Sequence, residues 1–175
     1  DLMATALAYI PEHYAADRPF TAGRQYSRKD VCRLLNWTAN VASTIYGYKV
    51  DRETGTCTIF VTYHKADHVS ASTAYADELI DRQTMVWYTR SRRTLASGEV
   101  DAIVSKRARP YLFAKKDDAE GSDFYFLGEA EPSHPEETTM PVGAGAVLPV
   151  VRMILQLDRP IDAAVYDYFH PVVTE

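Results

Sequence analysis

A chain of 175 residues suffices for one domain whose core, burying roughly 70% of the unfolded chain's surface, needs neither disulfides nor metals. Hydrophobic residues at 46% and charged residues at 25% exclude a disordered, collagen-like or coiled-coil chain. The formal net charge of −5 argues against a uniformly basic polyanion binder, and two cysteines are too few for a disulfide scaffold.

The chain opens on apolar residues near helical spacing, Leu2, Ala6 and Ile10, and Pro11 is expected to break this stretch into two short helices. Residues 1–25 read as a helical lead-in to an α+β domain over 26–175. Ser27, with Asp30 three residues on, approximates a capping box, and Val31, Leu34 and Leu35 give the following helix one apolar face, ending near Trp37. Cys32 lies in this apolar pattern and Cys57 opens a strand pattern, so both read as buried thiols.

The run Cys57 to Tyr63 is β-branched and aromatic, and Asp51-Arg52-Glu53-Thr54-Gly55 before it is turn chemistry, so 46–65 reads as a hairpin. A helix over 73–81 and a strand over 84–90 follow. Ser97, with Glu99 and Asp101 behind it, marks a further helix start, because acids in a first turn face unsatisfied N–H groups. Strands over 110–116 and 123–130 flank a polar turn as a second hairpin. The Pro-, Glu-, Thr- and Gly-rich stretch 132–145 reads as a mobile loop, and 148–157 as a long apolar strand. The expected fold is α+β: a mainly antiparallel sheet or partly closed β-barrel with short peripheral helices.

Catalytic signatures are missing. The chain has no G-x-x-x-x-G-K-[ST] phosphate cradle and no G-x-S-x-G nucleophile elbow. Gly143-Ala144-Gly145 lacks the third glycine of a dinucleotide fingerprint. His64 and His68 fall in a turn without further metal ligands, and Glu99 and Asp101 beside Lys106 point to different faces of a helix. The fragment is therefore expected to be no enzyme, with no cofactor and no metal.

Charge distribution is more informative than the total. From Arg82 to Lys116 nine basic residues face two acidic ones, a balance of +7, which leaves −12 for the remainder. Within this segment Arg90-Ser91-Arg92-Arg93 follows a strand and offers guanidinium forks and hydroxyls suited to phosphate or guanine. Lys65 at another strand end and Arg107 and Arg109 add cations, while Tyr63 and Tyr88 are candidate stacking rings. A shared rim would bind DNA, with RNA the alternative. The competing reading is an edge strand protected by charge.

Several sequence words, in order, carry a family likeness: Tyr26-Ser27-Arg28-Lys29-Asp30-Val31, Leu34-Leu35-Asn36-Trp37, Ile45-Tyr46-Gly47-Tyr48, Ile59 to Lys65, Tyr75 to Glu78, Trp87-Tyr88-Thr89-Arg90-Ser91 and Phe124 to Gly128. Together they resemble the family catalogued as domain of unknown function 3427, over about 26–168. The resemblance implies a bacterial accessory domain C-terminal to a superfamily 2 DEAD/DEAH-type helicase core, often with a phospholipase-D-like nuclease domain upstream, in restriction or phage defence. It implies no catalytic residue here. The helicase core of the same polypeptide becomes an expected partner, and a start without methionine fits a piece of a longer chain. The alternative function is an interaction or autoinhibitory module docking on that core through acidic surface and aromatics such as Tyr166 and Phe169. With no apolar run of membrane-spanning length and no charged-then-apolar leader, a cytoplasmic location without membrane contact is expected.

Overall fold

A computed structural model of the chain describes residues 2–13, 17–63 and 77–170. Its elements in order are α1 (Leu2–His13), β1 (Gln25–Tyr26), α2 (Arg28–Leu34), β2 (Tyr48–Asp51), β3 (Thr56–Thr62), β4 (Glu78–Leu79), β5 (Thr84–Tyr88), α3 (Gly98–Val104), β6 (Arg109–Lys115), β7 (Phe124–Pro141), β8 (Val147–Leu157) and α4 (Ala163–Phe169). The strands form one eight-stranded sheet, seven in the order β2-β3-β6-β7-β8-β5-β4 and the eighth, β1, pairing on β7 off this path. The path is open, so the barrel alternative is not realised, and the pairing is antiparallel except between β3 and β6.

β7 is the pivot of this architecture. Its first half pairs with β6, from Ala114↔Tyr125 to Tyr111↔Glu129, and its second half pairs with β8, from Ala130↔Leu157 outward. The handover is marked by a register shift beside Leu112 and Phe113 and by Gly128 at φ 151°. A strand that changes neighbours in this way turns a corner, and the two halves of the sheet enclose a core between them.

That core follows from the period of two along each strand. Cys57, Ile59 and Val61 of β3, Leu112 and Ala114 of β6, and Met153, Leu155 and Leu157 of β8 face it, with Trp87, Ile103 and Phe169 closing its sides. Alternate residues face the other way. Phe60, Phe113, Phe124 and Phe126 form a second aromatic cluster under α2, joined by Phe20, Val31, Leu35 and Trp37.

The capping reading at α2 is realised at atomic level: Asp30 N–H donates to Ser27 Oγ at 3.1 Å, and the Ser27 hydroxyl donates to Asp30 Oδ2 at 2.7 Å. Both hairpins form, as β2/β3 and β6/β7, and both cysteines are free and buried.

Three expectations are corrected. α1 continues through Pro11 to His13 as one helix. Of the helix expected over 73–81, residues 73–76 lie outside the described residues, and Glu78–Leu79 is instead the short strand β4, held on β5. The loop expected over 132–145 is mostly strand. β7 runs to Pro141 against β8, and its prolines are tolerated because its far edge has no strand partner among the described residues, where no N–H is required.

Candidate nucleic-acid interface

Arg90 leaves β5 and turns inward. Its Nη1 donates to the carbonyls of Tyr46 at 2.9 Å and Tyr48 at 2.6 Å, and its Nη2 pairs with Glu99 at 2.5 Å. The guanidinium also lies 4.2 Å from the Tyr48 ring centroid. Here the acid expected to serve the first turn of α3 serves a cation from another element. Arg90 is consequently a clamp that fastens the loop 90–93 to the start of β2, with both Nη atoms already engaged.

The clamp shapes what surrounds it. Arg92 is exposed and left-handed at φ 62°, and Arg93 N–H donates to Pro149 O at 3.2 Å, pinning the loop to β8. The Arg93 guanidinium lies beside the buried Tyr48 hydroxyl, whose pKa is raised chiefly by burial. Ser91 is half-buried between them. Tyr46, whose carbonyl Arg90 holds, is 72% exposed. Arg52, at the β2/β3 turn, packs over the first residue of α3, with Nη2 2.7 Å from where a Cβ on Gly98 would sit. One corner thus gathers an exposed aromatic residue with Arg52, Arg92 and Arg93. Neither Tyr46 nor Arg52 is a site candidate in the sequence, where Tyr46 belongs to the family word Ile45–Tyr48 and Arg52 to the turn 51–55.

The other candidates are distributed differently. Arg107 reaches back to Asp101 within α3, while Lys106 pairs with Glu131 and Arg109 with Glu129 at 2.8 Å. Glu99, which holds Arg90, and Asp101, which holds Arg107, lie two residues apart on α3, and the β2/β3 turn that carries Arg52 accepts Arg109 N–H on Gly55 O at 2.9 Å. Lys106 holds the Glu131 carboxyl below the usual carboxylate range through a hydrogen bond and its charge. The Lys106–Glu131 and Arg109–Glu129 pairs border an open cleft of ≈ 430 Å³ at the β7 corner, also lined by Gln156 and Asp158. Each pair is at least partly exposed, and solvent screening leaves such pairs weak.

The stacking candidates are engaged internally. Tyr63 packs on Phe169 with ring centroids 5.4 Å apart, and its hydroxyl is 2.5 Å from His170 Nε2. Because His170 Nδ1 lies 3.1 Å from the Tyr166 carbonyl and must donate there, Nε2 is the acceptor for the Tyr63 hydroxyl. Tyr88 is half-buried within β5. Phe169 is 1% exposed and Tyr166 stacks on His170 at 4.3 Å, so neither supplies the exposed docking aromatic expected of it. Lys65, His64 and His68 lie outside the described residues. Among the described residues no group of three or more His, Cys, Asp or Glu side chains is placed to hold a metal ion. No helix among them is long and apolar enough to cross a membrane.

These features define an α+β domain built on an open, corner-turning sheet, with an arginine-clamped loop at one end of α3. The chain belongs to the family described as Domain of unknown function (DUF3427), which matches residues 20–169. No curated protein matches it. Among solved structures it is similar to MspJI restriction endonuclease in complex with a 27-mer oligonucleotide, at 13% identity and a TM-score of 0.46, over 58% of this chain and 28% of that chain.

Proposed function

We propose that this chain is a non-catalytic accessory domain that binds DNA at the corner formed by Tyr46, Arg52, Arg92 and Arg93, and that it serves a bacterial helicase in restriction or phage defence. The observation that carries the DNA reading is the Arg90 clamp. By engaging the carbonyls of Tyr46 and Tyr48, Arg90 fixes the backbone of the loop 90–93 beside the segment that carries the exposed Tyr46. Guanidinium groups suit phosphate oxygens, and an exposed tyrosine suits base stacking. Arg107 and Arg109 remain secondary candidates, because a phosphate backbone can compete for cations held in weak exposed pairs. The helicase partner and the defence setting rest on the family resemblance.

Binding of the 175-residue chain to fluorescently labelled duplex, followed by anisotropy, tests this reading. The Arg92→Ala/Arg93→Ala variant is expected to bind about tenfold or more weakly, at two lost phosphate contacts. Unchanged affinity, or a wild type that binds no DNA, overturns it. One observation favours the second reading, docking on the helicase core: Leu2, Met3 and Leu7 of α1 are exposed, Leu2 by 91%. ATPase rates of the parent protein with and without this domain, in the absence of DNA, separate the two.

A further inference from the structure

The outer part of the β7/β8 hairpin has no role in either core. From Thr138 to Val151 fourteen consecutive residues carry no charge. The root of the arm is fixed: Val150 and Val151 are fully buried, Thr89 N–H donates to Val151 O at 2.9 Å, and Leu95 N–H donates to Glu137 Oε1 at 2.8 Å. Beyond it the ladder continues through Thr139↔Pro149, Met140↔Leu148 and Pro141↔Val147. The turn is closed by Val142 N–H to Ala146 O at 2.9 Å and Ala146 N–H to Gly143 O at 3.0 Å. Residues 142–147 are all exposed, Val142 by 42% and Val147 by 58%.

The arm leaves the molecule beside the arginine corner. Arg93 N–H is bonded to Pro149 O at the arm's base, and Arg152 stands one residue below its buried root, opposite Tyr88 on one side and Glu136 on the other. The nearby carboxylates are occupied or faced by cations: Glu137 accepts the Leu95 N–H, Glu131 pairs with Lys106, and Glu136 faces Arg152. A two-stranded ribbon fits the major groove of B-DNA, about 12 Å wide and 8.5 Å deep, and is too wide for an undeformed minor groove of about 6 Å. Three ladder steps at about 3.3 Å each reach about 10 Å, enough to touch base edges while the root stays at phosphate level.

We infer that the β7/β8 arm enters the major groove of duplex DNA, its uncharged tip touching base edges through Val142 and Val147 while Arg92, Arg93 and Arg152 hold the flanking phosphates. This rests on the DNA reading above. An uncharged tip is no competitor for phosphate, so it adds base-edge contact where the arginines add position. Apolar side chains in the major groove meet the thymine C5-methyl, which distinguishes thymine from uracil.

The test compares the 175-residue wild type with Val142→Asp/Val147→Asp on three probes: a thymine-containing duplex, the same duplex with deoxyuridine in place of thymidine, and a single strand. The exposed tip permits both substitutions in a folded chain, checked by an unchanged melting temperature. The wild type is expected to bind the thymine duplex about threefold more tightly than the uracil duplex. The variant is expected to bind duplex about tenfold more weakly than wild type, to lose the thymine preference, and to bind the single strand as wild type does. Equal wild-type and variant affinity for duplex overturns the groove insertion and leaves DNA binding standing. Failure of the wild type to bind any probe overturns both, and an arm that protects a protein surface from labelling becomes the replacement reading.

Discussion

Arg90 shows how a residue selected for one task in sequence is consumed by another in the fold. Its guanidinium satisfies two main-chain carbonyls and one carboxylate at once, at 30% side-chain exposure for both members of the pair. Arg90→Ala removes the cation from Glu99 and the guanidinium donor from both carbonyls, of which Tyr46 O keeps the Tyr48 N–H at 2.9 Å, and is expected to cost about 2 to 3 kcal/mol in urea unfolding, since unpaired part-buried polar groups carry most of the penalty. Arg92→Ala, at an exposed position, is expected to change stability by less than about 0.5 kcal/mol. Equal effects for the two contradict the clamp. Tyr63 offers a second test. Partial burial raises its pKa to about 12, with an ordinary value of 10.0, so the folded state holds the phenolic proton more tightly than the unfolded state. The associated stability is fully present below pH 10 and is lost as pH rises towards 12. Wild type should therefore lose stability faster than Tyr63→Phe across that window in a series of melts at increasing pH. Parallel curves for the two proteins count against it.

At the scale of elements, the start of α2 was legible and the β8 partner of β7 was not. α2 begins on Ser27 as its spacing indicated. It ends on Asn36 at φ 58°, with Asn36 N–H donating to Arg33 O at 3.0 Å and Trp37 N–H to Cys32 O at 2.9 Å. This is a Schellman closure, in which the residue after the reversed position packs back onto the helix, and Trp37 does so while its indole N–H donates to Thr56 Oγ1 at 2.8 Å. Asn36→Gly should be neutral or slightly stabilising, whereas the β-branched Asn36→Val should cost about 1 kcal/mol or more in thermal unfolding. The reverse order contradicts the left-handed cap. The stretch 132–145 misled because its prolines and glycines are turn residues by type. What made β7 a strand there was β8, which supplies a ladder partner from Pro132↔Leu155 to Pro141↔Val147.

At the scale of the whole molecule, the acidic total conceals local order. The basic segment 82–116 is folded so that part of its charge meets the acids of β7 and α3, while Arg92, Arg93 and Arg152 gather around the base of the arm. If Arg52, Arg92, Arg93 and Arg152 each neutralise a phosphate, log affinity for duplex should fall against log salt with a slope of about −3.6. A slope near zero in the same anisotropy titration contradicts the cationic corner.

Sequence by itself determined what depends on neighbours along the chain. The capping pair at Ser27, the apolar stripe of α2, the period-two strands and both hairpins are local, and each is encoded within about a dozen residues. The likeness carried by the words from Tyr26 onward likewise survived as family membership over 20–169. Only the tertiary structure decided which cations remain available. The partner of Arg90 is nine residues away, those of Arg109 and Lys106 twenty and twenty-five, and the carbonyls that fix Arg90 more than forty. Coulombic pairing and hydrogen bonding depend on separation in space, and the parallel β3/β6 pairing and the turn of β7 set those separations through contacts no local pattern records.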